Sequence, residues 1–107
     1  MKKSLYFRAC RNKQGFTFQA DYGYILTFYN GSRSIDLAIG KNHYDLWTIT
    51  DLETGFSAHY RTFPTRKEAI AAITAEHLQK IFDFLDKWQF YDEAVQRLQE
   101  HHAKYQV

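Results

Sequence analysis

Histidines are the residues of this chain best suited to chemistry, but their spacing does not form a catalytic or metal site. The five histidines are His43, His59, His77, His101 and His102. No H-x-x-x-H or H-E-x-x-H spacing places two of them on one helical face as metal ligands. His77 falls on an apolar helical stripe, which predicts a packed histidine rather than a ligand.

Cysteine and the carboxylates add no reactive group. Cys10 is the single cysteine, so the chain has neither an intrachain disulfide nor a thiolate metal cluster. It lacks the glycine-rich elbow or helix N-terminus that activates a nucleophilic thiol. The pairs Asp83/Asp86 and Asp92/Glu93 fit a solvated helix surface, and no glycine-rich phosphate loop is present. The sequence therefore predicts no enzyme, no metal and no cofactor.

Length and composition describe one domain with an excess of aromatic residues. The chain has 107 residues, of which 9 Phe, 8 Tyr and 2 Trp make up 18%. Each buried ring removes about 150–250 Å² from water, so a chain of this size can bury a core. No apolar run reaches the length of a membrane span, about 18 residues, and one cysteine fits a reducing compartment. We expect a single cytoplasmic domain without a membrane segment.

Residues 1–63 predict an antiparallel sheet. All five glycines lie there, at intervals typical of turns between short strands. Strand-like patterns occur in six segments, and Asn30-Gly31 is a strong hairpin signal between two of them. The segments are 5–10, 16–19, 24–29, 34–39, 44–50 and 56–61. We expect an α+β fold with a meander of five or six strands.

Residues 65–105 predict helical structure. Thr65-Arg66-Lys67-Glu68 is a capping box, which starts a helix. One helix over 66–105 would be about 60 Å long, whereas strands are about 17–20 Å long. We therefore expect a helix over 65–87 packed on the sheet and a second helix over 91–105. A continuous helix is the alternative.

A heptad pattern in the C-terminal half raises the hypothesis of a structural homodimer. Apolar residues recur there at alternating steps of three and four, as in a coiled coil. The seam residues expected at the dimer interface are Trp88, Tyr91, Val95, Leu98, His102 and Tyr105.

The basic residues are concentrated at the start of the chain. The net charge is +2, but residues 1–13 hold five bases and no acid. Tyrosines and arginines on such a segment are typical of contact surfaces. The candidate partner-binding residues are Lys2, Lys3, Arg8, Arg11, Lys13, Tyr22, Tyr24, Tyr29, Arg33 and Tyr44.

Residues 12–18, Asn-Lys-Gln-Gly-Phe-Thr-Phe, resemble the aromatic strand of cold-shock domains and of RNA recognition motifs. In those families the rings stack on unpaired bases beside basic side chains. Thr17 stands where the families have Gly or Ala, and the second cold-shock motif is absent. The resemblance implies binding of single-stranded nucleic acid, which is the alternative function.

Three further segments are similar to small phage and mobile-element proteins of Gram-positive bacteria. They read LWTITD at 46–51, TG at 54–55 and TRKEAI at 65–70. Such proteins include anti-CRISPR inhibitors, which bind a nuclease by surface complementarity without catalysis. The resemblance implies a non-enzymatic inhibitor or accessory protein with a protein partner. The excess of Tyr and Trp, which anchor interfaces, favours the same function.

Overall fold

The computed structural model describes residues 2–13 and 15–105, except for the side chains of Asn12, Phe16 and Tyr105. The strands are β1 (Ser4–Asn12), β2 (Gly15–Asn30), β3 (Arg33–Lys41) and β4 (Trp47–Asp51). The helices are α1 (Arg66–Ala71), α2 (Ala75–Lys87) and α3 (Tyr91–Tyr105).

The four strands form one antiparallel sheet in the order β1-β2-β3-β4. The α+β class and the meander are therefore confirmed. The expected count of five or six strands is wrong for the described residues, and so is the count of two helices.

One long strand replaces two of the predicted strands. Segments 16–19 and 24–29 are both part of β2, which has 16 residues. Gly23, between them, makes no turn: it pairs with Ser4 of β1 and with Gly40 of β3. A Cβ on Gly23 would lie 2.6 Å from the carbonyl oxygen of Ile39. This glycine therefore allows close packing of two strands rather than a change of direction.

The segment 44–50 is shorter as a strand than predicted. The Asn42 side chain accepts hydrogen bonds from the backbone N–H groups of Tyr44 and Leu46, at 2.9 and 3.1 Å. Asp45 has a left-handed φ of 65°. This local turn competes with strand pairing, so β4 begins only at Trp47.

The segment 56–61 is not a regular strand. It reaches the edge of β4 through isolated bridges, Thr50 with Ser57 and Trp47 with Phe63. Residues 60–62, between the bridges, are exposed. The alternating sequence pattern predicts a strand here, but the chain arches away from the sheet between the two bridges and so cannot form a continuous ladder of hydrogen bonds.

The sheet curls until its first strand meets the turn after β4. The N–H of Ala9 donates to the carbonyl oxygen of Gly55 at 2.8 Å. Gly55 has a φ of +77°, and a Cβ there would lie 3.1 Å from the Phe7 carbonyl oxygen. Glycine is thus required at this contact by both backbone conformation and space.

The main core lies between one face of the sheet and the first two helices. Residues that are paired across antiparallel strands have their side chains on the same face of the sheet. Ile39 therefore lies beside Tyr24 and Ile49, on the face that packs against the helices. The buried members of this core are Ile35, Leu37, Ile39, Ile49, Phe63, Ala69, Ile73, Leu78, Ile81 and Phe82.

The helical half begins as predicted and is then interrupted. The Thr65 hydroxyl accepts from the N–H of Glu68 at 3.1 Å and caps α1. The helix predicted over 65–87 breaks after Ala71, because the Thr74 hydroxyl caps a new helix through the N–H of His77. The expected break before residue 91 is confirmed, and a continuous helix over 66–105 is not formed.

We predict that Gly40 and Tyr6 are energetically coupled. An added Cβ on Gly40 would overlap the buried Tyr6 hydroxyl oxygen, so Gly40→Ala should cost about 1–3 kcal/mol of unfolding free energy. Within the described residues the hydroxyl makes no hydrogen bond of good geometry and has only weak contacts with Thr48 and Thr50, so Tyr6→Phe alone should change stability by less than about 1 kcal/mol.

The double variant, Tyr6→Phe with Gly40→Ala, tests the contact directly. Without the hydroxyl, the nearest ring atom to the added Cβ is Cζ of residue 6, at 3.1 Å, so the double variant should be more stable than Gly40→Ala alone. Urea unfolding of the four proteins measures this coupling. Strictly additive costs would show that the hydroxyl does not limit the space above Gly40.

Candidate functional site

An open apolar groove lies between α2 and the chain segment 54–60. Its cavity of about 410 Å³ has the size of a ligand-binding pocket. Most of its wall is aromatic or aliphatic, with side chains from Phe56, Ala58, Tyr60, Ile81, Phe84, Leu85 and Trp88. We call this feature the aromatic groove.

Helix α2 forms one wall because it is apolar on two sides. The Thr74 cap fixes where the helix begins and therefore which residues face the sheet. Leu78 and Phe82 are buried against the sheet core. Phe84 and Trp88, one turn apart, line the groove instead, and Phe84 is 60% exposed.

Trp88 is the centre of the ring cluster in the groove. Its ring lies edge-on to Phe56, with the centroids 5.1 Å apart, and tilted against Phe84 at 5.5 Å. Ring pairs of this kind stabilise by about 0.5–1.5 kcal/mol beyond their buried area. These contacts join the ring of the 54–60 segment to the rings at the end of α2 and so form a continuous aromatic wall.

The groove continues around the corner between α2 and α3. A second cavity of about 330 Å³ shares Phe56 and Trp88 with the first and adds Phe90. Phe90 is 51% exposed, and Tyr60 at the other end of the groove is 90% exposed. Grouped exposed rings, unlike scattered ones, are typical of binding surfaces.

Two histidines whose rings are in contact form part of the wall. The ring centroids of His59 and His77 are 4.4 Å apart. His77 Nε2 lies 2.8 Å from the carbonyl oxygen of Ala58, which confirms the packed histidine predicted from sequence. His59 Nδ1 accepts from the N–H of Arg61 at 3.0 Å, so the Nδ1 atom carries no proton. Partial burial, then the nearby charges of His77 and Arg61, lower the pKa of His59.

A buried turn supports the floor of the groove. The Thr54 hydroxyl donates to the Asp51 carboxylate at 2.8 Å, and both residues are buried. Burial raises the pKa of Asp51 above its ordinary value. The carboxylate of Glu53, two residues after Asp51, accepts a hydrogen bond from the Tyr91 hydroxyl at 2.6 Å. The turn therefore connects β4 to α3 and holds Asp51 and Thr54 at the floor of the groove.

Two of the cations predicted to bind a partner are used within the fold. Arg8 donates to Asp21 at 2.8 Å across the β1–β2 pair. Arg33 makes a forked contact to Asp86 of α2, at 2.8 and 3.0 Å, and lies over the Phe82 ring. The guanidinium of Arg33 lowers the pKa of Asp86. The exposed members of the predicted set are Lys2, Lys3, Arg11 and Lys13.

The predicted tyrosines do not form one surface. Tyr24 packs against Trp47, with centroids 6.2 Å apart, and beneath the Arg66 guanidinium at 4.4 Å. The exposed ones are Tyr22, Tyr29 and Tyr44. Tyr22 and Tyr29 are seven residues apart in β2, so they point to opposite faces of the sheet.

The predicted seam residues are divided between the α2–α3 corner and α3. Trp88 lies in the aromatic groove, and the His102 ring is 5.5 Å from Phe7 of the same chain. The other members are Tyr91, Val95, buried Leu98 and Tyr105, whose side chain lies outside the described residues. Whether a second copy binds here stays a prediction.

Sequence reasoning missed most of the groove as a contact surface. Trp88 is the only one of its rings among the candidate residues, which do not include Phe56, Tyr60, Phe84 or Phe90. A usable signal was present, because α2 carries a second apolar stripe through Phe84 and Trp88. A helix that is apolar on two sides has more apolar surface than one sheet can cover.

Within residues 2–13 and 15–105, no group of three potential metal ligands is found. None of the helices in that part of the chain is long and apolar enough to cross a membrane. No protein-family model, curated protein or solved structure matches this chain.

We predict that acid weakens the fold through His59. The unfolded chain takes up a proton as the pH falls through about 6.5, whereas the folded state, with its lowered pKa, resists protonation. The unfolding free energy should therefore fall between pH 7.5 and 5.5, then level off once the folded-state histidine is also charged.

A matched variant isolates this effect. His59→Asn keeps an acceptor for the Arg61 N–H but does not titrate, so it should lose less stability over the same interval. His43→Asn, in an exposed loop, serves as control. The same pH dependence in urea unfolding of wild type and His59→Asn would refute the assignment.

Proposed function

We propose that this protein is a non-enzymatic module that binds another protein through the aromatic groove. The observation that carries the proposal is the ordered cluster of exposed rings around Trp88. Phe84 and Phe90 are each more than half exposed, and the Phe84 ring contacts Trp88 with the centroids 5.5 Å apart. Burying such rings against a partner contributes about 1.5–3 kcal/mol per side chain.

The chemistry of the groove indicates what kind of segment it accepts. Lys80 is the one exposed charged residue among the described residues that line the main cavity. Its closest carboxylate, Glu76, is 3.8 Å away and also exposed, so the ion pair is weak. The groove therefore fits a partner segment that offers apolar or aromatic anchors followed by a carboxylate.

The class of partner is proposed from the sequence resemblance. The segments shared with small phage and mobile-element proteins favour an inhibitor or accessory role, with a host nuclease of the CRISPR type as the specific candidate. A net charge of +2 does not suit imitation of DNA. An apolar groove is better suited to binding a protein whose surface is complementary to it.

Site-specific photo-crosslinking tests the proposal. A benzophenone amino acid at position 84 should capture one partner from a lysate of the producing cell. The same group at position 22, equally exposed but on β2, should not capture it. Equal capture from both positions, or from neither, would contradict the groove as the contact surface.

Charge substitutions give the matching affinity prediction. Phe84→Glu introduces a charge at an exposed site and should weaken binding of the captured partner at least 100-fold, about 2.8 kcal/mol. Lys80→Glu should weaken it about tenfold by repelling the carboxylate of the partner. Tyr22→Glu is the control and should leave the affinity unchanged, as measured by calorimetry.

A further inference from the structure

A second cleft lies between the β1–β2 hairpin and α3, and it shares Arg97 with the second cavity of the aromatic groove. It encloses about 400 Å³. Its walls come from Thr17, Phe18, Arg97, Glu100, His101 and Lys104. None of these residues lines the main cavity of the aromatic groove.

His101 holds α3 against the hairpin and thereby sets the shape of this cleft. Its ring lies 4.8 Å from Phe7 and 5.2 Å from Phe18, measured between centroids. Arg97 is four residues before His101 and Lys104 three residues after it. Residues at these spacings share one helix face, so both cations lie beside the rings.

The hairpin adds a further cation on the same side. Ala9 pairs with Phe18, and Arg11 with the backbone of Phe16, so Arg11 is on the sheet face that α3 covers. Lys13 follows in the exposed turn of the hairpin. Residues that are more than 80 positions apart in sequence thus bring positive charge to one place.

These cations are available to a ligand. Arg11, Lys13, Arg97 and Lys104 form no ion pair with a carboxylate of the described residues. This distinguishes them from Arg8, which is held by Asp21. Glu100 is the one acid in the cleft wall as described, and its carboxylate accepts from the Gln96 amide at 3.3 Å. The cleft therefore has a net positive charge.

We infer that this cleft binds single-stranded nucleic acid. Arg97 and Lys104 contact backbone phosphates, and Arg11 extends the contact along the strand. Phe18 and His101 are both half-buried and line the cleft, and their rings provide the aromatic surface on which an unpaired base stacks. Cations interleaved with rings in a narrow cleft are the combination that single strands require.

The size of the cleft favours a single strand over a duplex. About 400 Å³ is the volume of a small-molecule pocket, enough for an unstacked nucleotide. A duplex keeps its bases inside and is read by an element that enters a groove. Here the rings lie in the wall of an open cleft, where they can contact an unpaired base but not a base stacked inside a duplex.

Fluorescence anisotropy with labelled single-stranded DNA, single-stranded RNA and duplex DNA tests the inference at 50 and 200 mM salt. We expect the wild type to bind at least one single strand more tightly than duplex, with weaker binding at higher salt. The variant with Arg97→Ala and Lys104→Ala should bind at least tenfold more weakly. Its salt slope should fall by about 1.4, or about 0.7 for each lost phosphate contact.

A charge-matched control separates a site from a general charge effect. Lys67→Ala with Lys87→Ala removes the same charge from exposed positions on α1 and α2, outside both proposed sites, and should leave nucleic-acid binding unchanged. Equal weakening by both double variants, or no binding by the wild type, would overturn the inference. Poly-glutamate that competes as well as a single strand would identify a general polyanion surface and would also overturn it.

This test is independent of the protein-binding proposal. Phe84→Glu should leave single-strand affinity unchanged, because Phe84 lines the aromatic groove and not the cleft. Thermal unfolding of each variant verifies that the fold is retained. Loss of single-strand binding in Phe84→Glu, with its stability intact, would contradict two separate sites.

Discussion

The close approach of strands at Gly23 and Gly40 is the constraint on which the rest of the structure depends. β2 pairs with β1 along its first half and with β3 along its second, and Gly23 is paired on both sides. A Cβ on Gly23 would meet the Ile39 carbonyl, and one on Gly40 would meet Tyr6. Because these two positions carry no side chain, β1 can curl towards the far edge of the sheet, where the N–H of Ala9 donates a hydrogen bond to the carbonyl oxygen of Gly55.

The same curl explains why a groove exists. α1 and α2 cover β3, β4 and part of β2, whereas α3 lies against the β1–β2 hairpin through His101. The chain must therefore turn sharply between α2 and α3, and Trp88 stands at that turn. The sheet cannot cover the rings of Phe84 and Phe90 there. An apolar surface thus remains open at the corner while the core beneath it is closed.

Local chemistry made parts of this fold predictable from sequence. The Asn30-Gly31 turn, the Thr65 cap and the break before Tyr91 depend on neighbouring residues, and each is present. The role of Gly23 was not predictable, because it depends on Ile39, a strand away. The aromatic groove was hidden for a similar reason: Trp88 meets Phe56 across 32 residues, and the heptad spacing of the helices suggested a dimer instead. The sequence also could not show that Arg33 forms an ion pair with Asp86 and is therefore not available to a partner.

Hydrogen–deuterium exchange of the protein with and without its crosslinked partner tests the central claim most directly. If the aromatic groove is the contact surface, exchange should slow in residues 56–60 and in residues 81–88, at the end of α2. The exposed parts of β2 around Tyr22 and Tyr29 should exchange at the same rate in both states. Slowing confined to β2, with α2 unaffected, would contradict the account.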